Sequence, residues 1–329
     1  MSKLQEQHDE MTELNPGPQP GIFSGEPELL RRQLRKRRKR RRRRIKAVAV
    51  LPSLFTLGNL IAGFAAIHYA SKPADSTVAG VLNWSPLTMA GFLIFLGMFC
   101  DAVDGSIARF TRSTTDLGAQ LDSLADIVTF GVAPAYMTLR LVSMYYLNNN
   151  ETGMAVISPD HDDAFGRIFW VIAAIYVSCT ALRLARFNVE TGSSEAISDH
   201  MFFRGLPSPG AAGCLASLIL LHQDQLADLS MKWVARSTGL GMAGIMLLCG
   251  LAMVSRLPYV HATNRYLRGQ GSFAYIVVMM IILMLAVFYT QEVLAVAFTV
   301  YALSAPVRWV WLVWRRRFAN ATQLRNKSQ

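Results

Sequence analysis

Apolar residues in this chain gather into long runs separated by short polar connections, and the length of the runs decides the fold class. Eight segments, approximately 48–70, 87–108, 121–146, 167–188, 208–224, 236–255, 273–290 and 293–314, compare with the roughly 20 residues a helix needs to cross hydrocarbon. The fifth is the shortest and runs into the polar HQDQ at 222–225. The pattern predicts an all-α, polytopic membrane helix bundle of about eight transmembrane helices. Two of the runs carry acid. Asp101 and Asp104 continue the helical frame of the second run at i, i+3 and share a face, while Asp122 and Asp126 stand at i, i+4 in the third.

The connections alternate in charge. Those holding Arg109 and Arg112, Arg186 and Arg204, Arg256, Arg265 and Arg268, and Arg315, Arg316 and Arg317 are basic. Those at 71–86, 148–166 and 225–232 are neutral or acidic apart from single lysines. An even number of spans with the basic connections inside predicts both termini on the cytoplasmic side of the cytoplasmic (inner) membrane. It also puts the four aspartates at the cytoplasmic ends of the second and third spans.

Composition agrees: of 329 residues 52% are hydrophobic and the mean hydropathy is +0.28, more apolar material than a soluble domain buries. The net charge of +11 is local, because residues 31–46, RRQLRKRRKRRRRRIK, hold 13 of the 33 Lys and Arg, and outside them 20 basic residues face 22 acidic ones. A polybasic tract against the first span predicts contact with anionic lipid headgroups. With no aromatic or folded recognition element beside it, no nucleic-acid partner is expected. Residues 1–30 mix Pro, Gly, Glu and Gln without period and read as a disordered leader, and they lack the apolar core of a secretory signal. The remaining divisions are a catalytic core at 47–255, a transmembrane hairpin at 256–314 and a basic tail at 315–329. Cys100, Cys179, Cys214 and Cys249 all lie in apolar runs at no metal-ligand spacing and read as small buried hydrophobes.

Four carboxylates converging at a membrane boundary need neutralising, and hard divalent cations are the usual partners of carboxylate oxygen. Gly105 and Gly118 lack side chains where the two acid-bearing helices are expected to approach each other. A transporter would instead spread charges near the membrane midplane, and acidic helix ends facing solvent need no fixed spacing. The spacing here is D-x-x-D-G-x-x-A-R, eight residues, then G-x-x-x-D-x-x-x-D, filled by Asp101, Asp104, Gly105, Ala108, Arg109, Gly118, Asp122 and Asp126. It resembles the signature of the CDP-alcohol phosphotransferases at every position.

That resemblance implies transfer of a substituted phosphate from a CDP-linked donor to an alcohol. It implies a core of six of the transmembrane helices and two divalent cations, Mg²⁺ or Mn²⁺, on Asp101, Asp104, Asp122 and Asp126, with Asp126 also the general base. Gly105, Arg109 and Thr115, with Pro52, Ser53 and Thr56 of the first span, match positions that meet the CDP-lipid; Ser53 stands where the family often has Asn. Three stretches, LPSLFTLGNLIAGFAAI at 51–67, ALRLARFNV at 181–189 and FRGLPSPGAAG at 203–213, are similar to the serine-accepting branch of the family. The resemblance therefore implies CDP-diacylglycerol and L-serine as substrates and a homodimer in the membrane. Glycerol 3-phosphate or inositol phosphate is the alternative acceptor. Thr56 and Asn59, polar in an apolar stretch, fit either the site or helix-to-helix hydrogen bonding. Arg183, Arg186 and Arg204 fit either positive-inside anchoring or a clamp for the serine carboxylate.

Overall fold

Inside hydrocarbon a backbone must satisfy its own hydrogen bonds, so the apolar runs fold as helices. In a computed structural model the described residues are 53–73, 84–111, 116–147, 156–160, 162–192, 202–226, 232–260 and 289–327. The helices are α1 (Ser53–Ala70), α2 (Pro86–Thr111), α3 (Asp116–Asp126), α4 (Ala133–Tyr146), α5 (Ala164–Gly192), α6 (Ser208–Leu221), α7 (Lys232–Val254) and α8 (Thr290–Lys327). The leader, the polybasic tract and all but the last two residues of the predicted seventh span lie outside the described residues.

Six described helices are long and apolar enough to cross a membrane: Ser53–Ala70, Pro86–Ile107, Leu117–Tyr146, Ala164–Val189, Trp233–Val254 and Thr290–Leu312. Each coincides with a predicted span. The third is α3 and α4 joined by a π-helical segment, Ile127–Val132. The predicted fifth span is the exception. Its α-helix, α6, has only 14 residues and passes into a second π-helical segment, His222–Leu226. The continuous helix Ser208–Leu226 ends in the polar HQDQ, and its apolar part, α6, is at 1.5 Å per residue about 21 Å long, short of the roughly 30 Å of hydrocarbon. Nearly every α6 residue from Ser208 to Leu220 is buried, so α6 is a helix wrapped by protein and need not match the bilayer.

Local signals set the helix starts. Ser85 Oγ accepts the Thr88 backbone N–H at 3.2 Å, capping α2 with Pro86 at its first position. α1 turns Leu54, Leu57, Ile61 and Phe64 outward and Thr56, Asn59, Ala62 and Ala66 inward, the stripe of a lipid-facing helix packed on one side. The core behind it includes Ile94, Phe130, Met137, Tyr176, Leu215 and Ile219.

One short antiparallel ribbon, not foreseen from the sequence, joins β1 (Phe202–Arg204) to β2 (Pro258–Val260), with Phe203 opposite Tyr259. It is closed by Gly205, at φ 91°, whose N–H donates to the Leu257 carbonyl at 2.9 Å. The Leu206 N–H then donates to the Ala252 carbonyl at 3.0 Å. This anchors the segment before α6 to the end of α7 and fixes where α6 begins.

Candidate metal centre

The C-terminal part of α2 and the whole of α3 carry the acid, and the two helices bring it together. Asp101, Asp122 and Asp126 each offer a carboxylate oxygen within 4.8 Å of the others. Asp101 and Asp122 are half-buried, while Asp126 is only 8% exposed. Asp104, 6% exposed, stands outside that triad, yet its charge reaches Asp122. Its carboxylate accepts the hydroxyl hydrogen bond of Thr56.

Residues of α1 hold two of these carboxylates. Thr56 reaches Asp104 on α2, and Asn59 Nδ2, one helical turn later, donates to Asp126 Oδ1 on α3 at 3.1 Å. The Asn59 carbonyl in turn accepts the Thr129 hydroxyl at 2.9 Å, so the π-helical segment following Asp126 is tied back to α1. Close approach needs glycine: a Cβ on Gly97 would lie 2.6 Å from Thr129 Cγ2 and 2.9 Å from Asn59 Oδ1.

α5 closes the group from another side. Asn188 Nδ2 donates to Ser123 Oγ at 2.9 Å, beside Asp122. Arg183 Nη1 donates to Ser208 Oγ, at the start of α6, at 2.6 Å, and its positive charge acts on Asp126 and Asp101. Ser208 is fully buried.

The other predicted site residues fall as follows. Arg186 is half-buried on α5 and Ser53 half-buried at the start of α1. Arg109 lies in the last turn of α2 and Arg204 in β1, their side chains outside the described residues, as are Thr115 and Pro52 altogether. The helix-approach role expected of Gly105 is not what the structure gives. A Cβ there would meet nothing within 4 Å among the described residues, so no described helix packs against it. All four cysteines are free thiols; Cys179, Cys214 and Cys249 are buried, as expected from the sequence, whereas Cys100 is half-buried. Of the residues that join the site, Asn59 fits it from the sequence only as one of two readings and Ser208 lies unassigned within the 203–213 stretch, while nothing in the sequence marks Ser123.

An oxygen-only donor set of three converging carboxylates, with polar side chains orienting two of the four acids, suits a hard divalent cation. Arg183 adds a fork of N–H donors beside it, suited to a carboxylate or phosphate.

A family model described as CDP-alcohol phosphatidyltransferase matches residues 49–254, which contain every described residue of this site. The chain is also similar to three proteins named CDP-diacylglycerol–serine O-phosphatidyltransferase. The one from Helicobacter pylori (strain J99) is 29% identical over 269 residues, 82% of this chain and 94% of that protein. The one from Bacillus subtilis (strain 168) is 30% identical over 211 residues, 64% of this chain and 90% of its own length. The one from Methanocaldococcus jannaschii is 33% identical over 173 residues, 53% of this chain and 64% of the relative.

Proposed function

The chain belongs to the CDP-alcohol phosphatidyltransferase family, and from that premise we propose that it joins the phosphatidyl group of CDP-diacylglycerol to L-serine, giving phosphatidylserine and CMP. The observation that carries the reading is the triad of Asp101, Asp122 and Asp126 with oxygens within 4.8 Å, inside the matched region of an integral membrane protein.

Asp101, Asp104, Asp122 and Asp126 would hold two divalent cations, Mg²⁺ or Mn²⁺, which would supply charge neutralisation for the diphosphate and for the attacking and leaving oxygens. The chain's own residues do the rest. Gly105 leaves room for the diphosphate to approach the backbone, and Arg109 offers a guanidinium fork to its phosphate oxygens. Thr115, Pro52, Ser53 and Thr56 border the nucleotide-linked end of the lipid. Arg183 receives the serine carboxylate, which four aspartates would otherwise repel, and orients the hydroxyl toward phosphorus. The serine oxygen forms the new P–O bond as the P–O bond to CMP breaks. The hydroxyl proton passes to the Asp126 carboxylate. A carboxylate is a weak base for an alcohol, so the proton leaves late, as negative charge moves onto CMP.

The site belongs at the cytoplasmic face of the inner membrane, where nucleotide-linked donors are made, with both termini on that side. The polybasic tract rests on anionic lipid and the working unit is a homodimer. Purified protein given CDP-diacylglycerol, Mn²⁺ and a panel of alcohols tests the reaction by CMP release. Serine is the expected acceptor. Release with glycerol 3-phosphate but none with serine overturns the acceptor while leaving the phosphotransfer reading standing.

A further inference from the structure

We propose that Asn59 is a positioning residue of the metal centre, whose side-chain amide fixes one oxygen of Asp126 so that the other faces the cation. The proposal rests on the metal reading above and adds a residue that the D-x-x-D-G motif does not contain.

Asn59 is fully buried in an otherwise apolar stretch of α1, and burying an amide is costly unless its polar ends are used. The donor end is used: Nδ2 gives a 3.1 Å hydrogen bond to Asp126 Oδ1. The acceptor end, Oδ1, has no partner among the described residues. A side chain serving only to join helices gains most by bonding at both ends. One bonded at its donor end to a carboxylate alone is built around that carboxylate.

The surroundings keep it there. Thr129 holds the Asn59 main chain through the carbonyl, three residues beyond Asp126 on the same continuous helix. Donor and acceptor therefore move together. Gly97 leaves just enough room for both, since its Cβ would crowd Thr129 Cγ2 at 2.6 Å and Asn59 Oδ1 at 2.9 Å. One turn earlier Thr56 binds Asp104 in the same way, so one face of α1 presents two donors to two acids on two other helices. Partners that orient a metal ligand are typically worth about 10–100-fold in metal affinity or activity.

The test is Mn²⁺ binding to the full-length protein in detergent without substrate, read from the electron paramagnetic resonance signal of free Mn²⁺. Asn59→Leu, close in volume but without a donor, is expected to weaken binding by about 10–100-fold with helix content and elution volume unchanged. Activity should be recovered as Mn²⁺ is raised. Asn59→Ala removes the amide without adding bulk and is expected to shift binding the same way, which keeps the test open if the leucine variant does not fold. Wild-type uptake of Mn²⁺ that a folded Asn59 variant leaves unchanged overturns the role of Asn59 alone. A wild type that takes up no Mn²⁺ overturns the metal reading, and the role of Asn59 with it.

Discussion

Arg183 donates a 2.6 Å hydrogen bond to Ser208, and through it the C-terminal part of α5 is held to the first residue of α6 beside the acidic triad. A guanidinium carries five N–H donors, and this is its one hydrogen bond among the described residues, so the fork has donors left for an anion. A neutral hydroxyl orients the group without cancelling its charge. That sets Arg183 apart from Arg186, whose half-buried position also suits anchoring at the membrane face. Arg183→Ala is expected to raise the KM for serine by roughly 10–100-fold, the worth of a hydrogen bond to a charged group at about 1.5–3 kcal/mol, with the KM for CDP-diacylglycerol nearly unchanged. Arg186→Ala should do much less. Ethanolamine, lacking the carboxylate, should be a poor acceptor for the unmodified protein. Steady-state kinetics in both substrates check this, and an equal rise in both KM values would move Arg183 to the donor side.

Asp122→Asn keeps the shape of a half-buried ligand and removes its charge. Since a bound cation supplies several kcal/mol of charge stabilisation, turnover should fall by at least about 100-fold while the variant elutes from a sizing column like the parent. Near-normal CMP release by the purified variant would remove Asp122 from the centre.

What was legible beforehand follows physical rules of different strength. Span positions were, because twenty apolar residues in a row have few other uses, and all six described spans overlap their predicted segments. The acids were, because aspartate in an apolar run is too costly to be incidental. The shortness of the fifth run was, since it ends at HQDQ, but its enclosure was not, since hydropathy does not distinguish a helix surrounded by lipid from one surrounded by protein. Ser208 as the partner of Arg183 was not either. That contact joins residues 25 apart in sequence, and it depends on the ribbon and turn at Gly205, which only tertiary pairing creates. Asn59 lay between: its polarity was visible, but its partner Asp126, 67 residues away, was not.

The polybasic tract gives a prediction about surface rather than chemistry. Thirteen Lys and Arg lie within residues 31–46, and on the proposed reading each is worth about 1 kcal/mol near an anionic leaflet. Removing residues 1–44 is expected to leave activity in detergent largely intact and to flatten its dependence on anionic lipid in mixed vesicles. Complete loss of activity in detergent would make the tract part of the site.

Gly205 links backbone geometry to Arg183, the residue proposed above for the serine carboxylate. At φ 91° an L residue is strained, at about 1–3 kcal/mol. A Cβ there would also sit 2.3 Å from the Met253 carbonyl oxygen and 2.9 Å from that of Ser255, backbone atoms that move only if α7 moves. Gly205→Ala should therefore lower the thermal unfolding temperature in detergent and pull the start of α6 away from its bonds to Leu257 and Ala252. Ser208 lies three residues on and orients Arg183, so the variant should also raise the KM for serine more than that for CDP-diacylglycerol. A variant that loses stability but keeps the serine KM would show that Arg183 holds its position without Ser208.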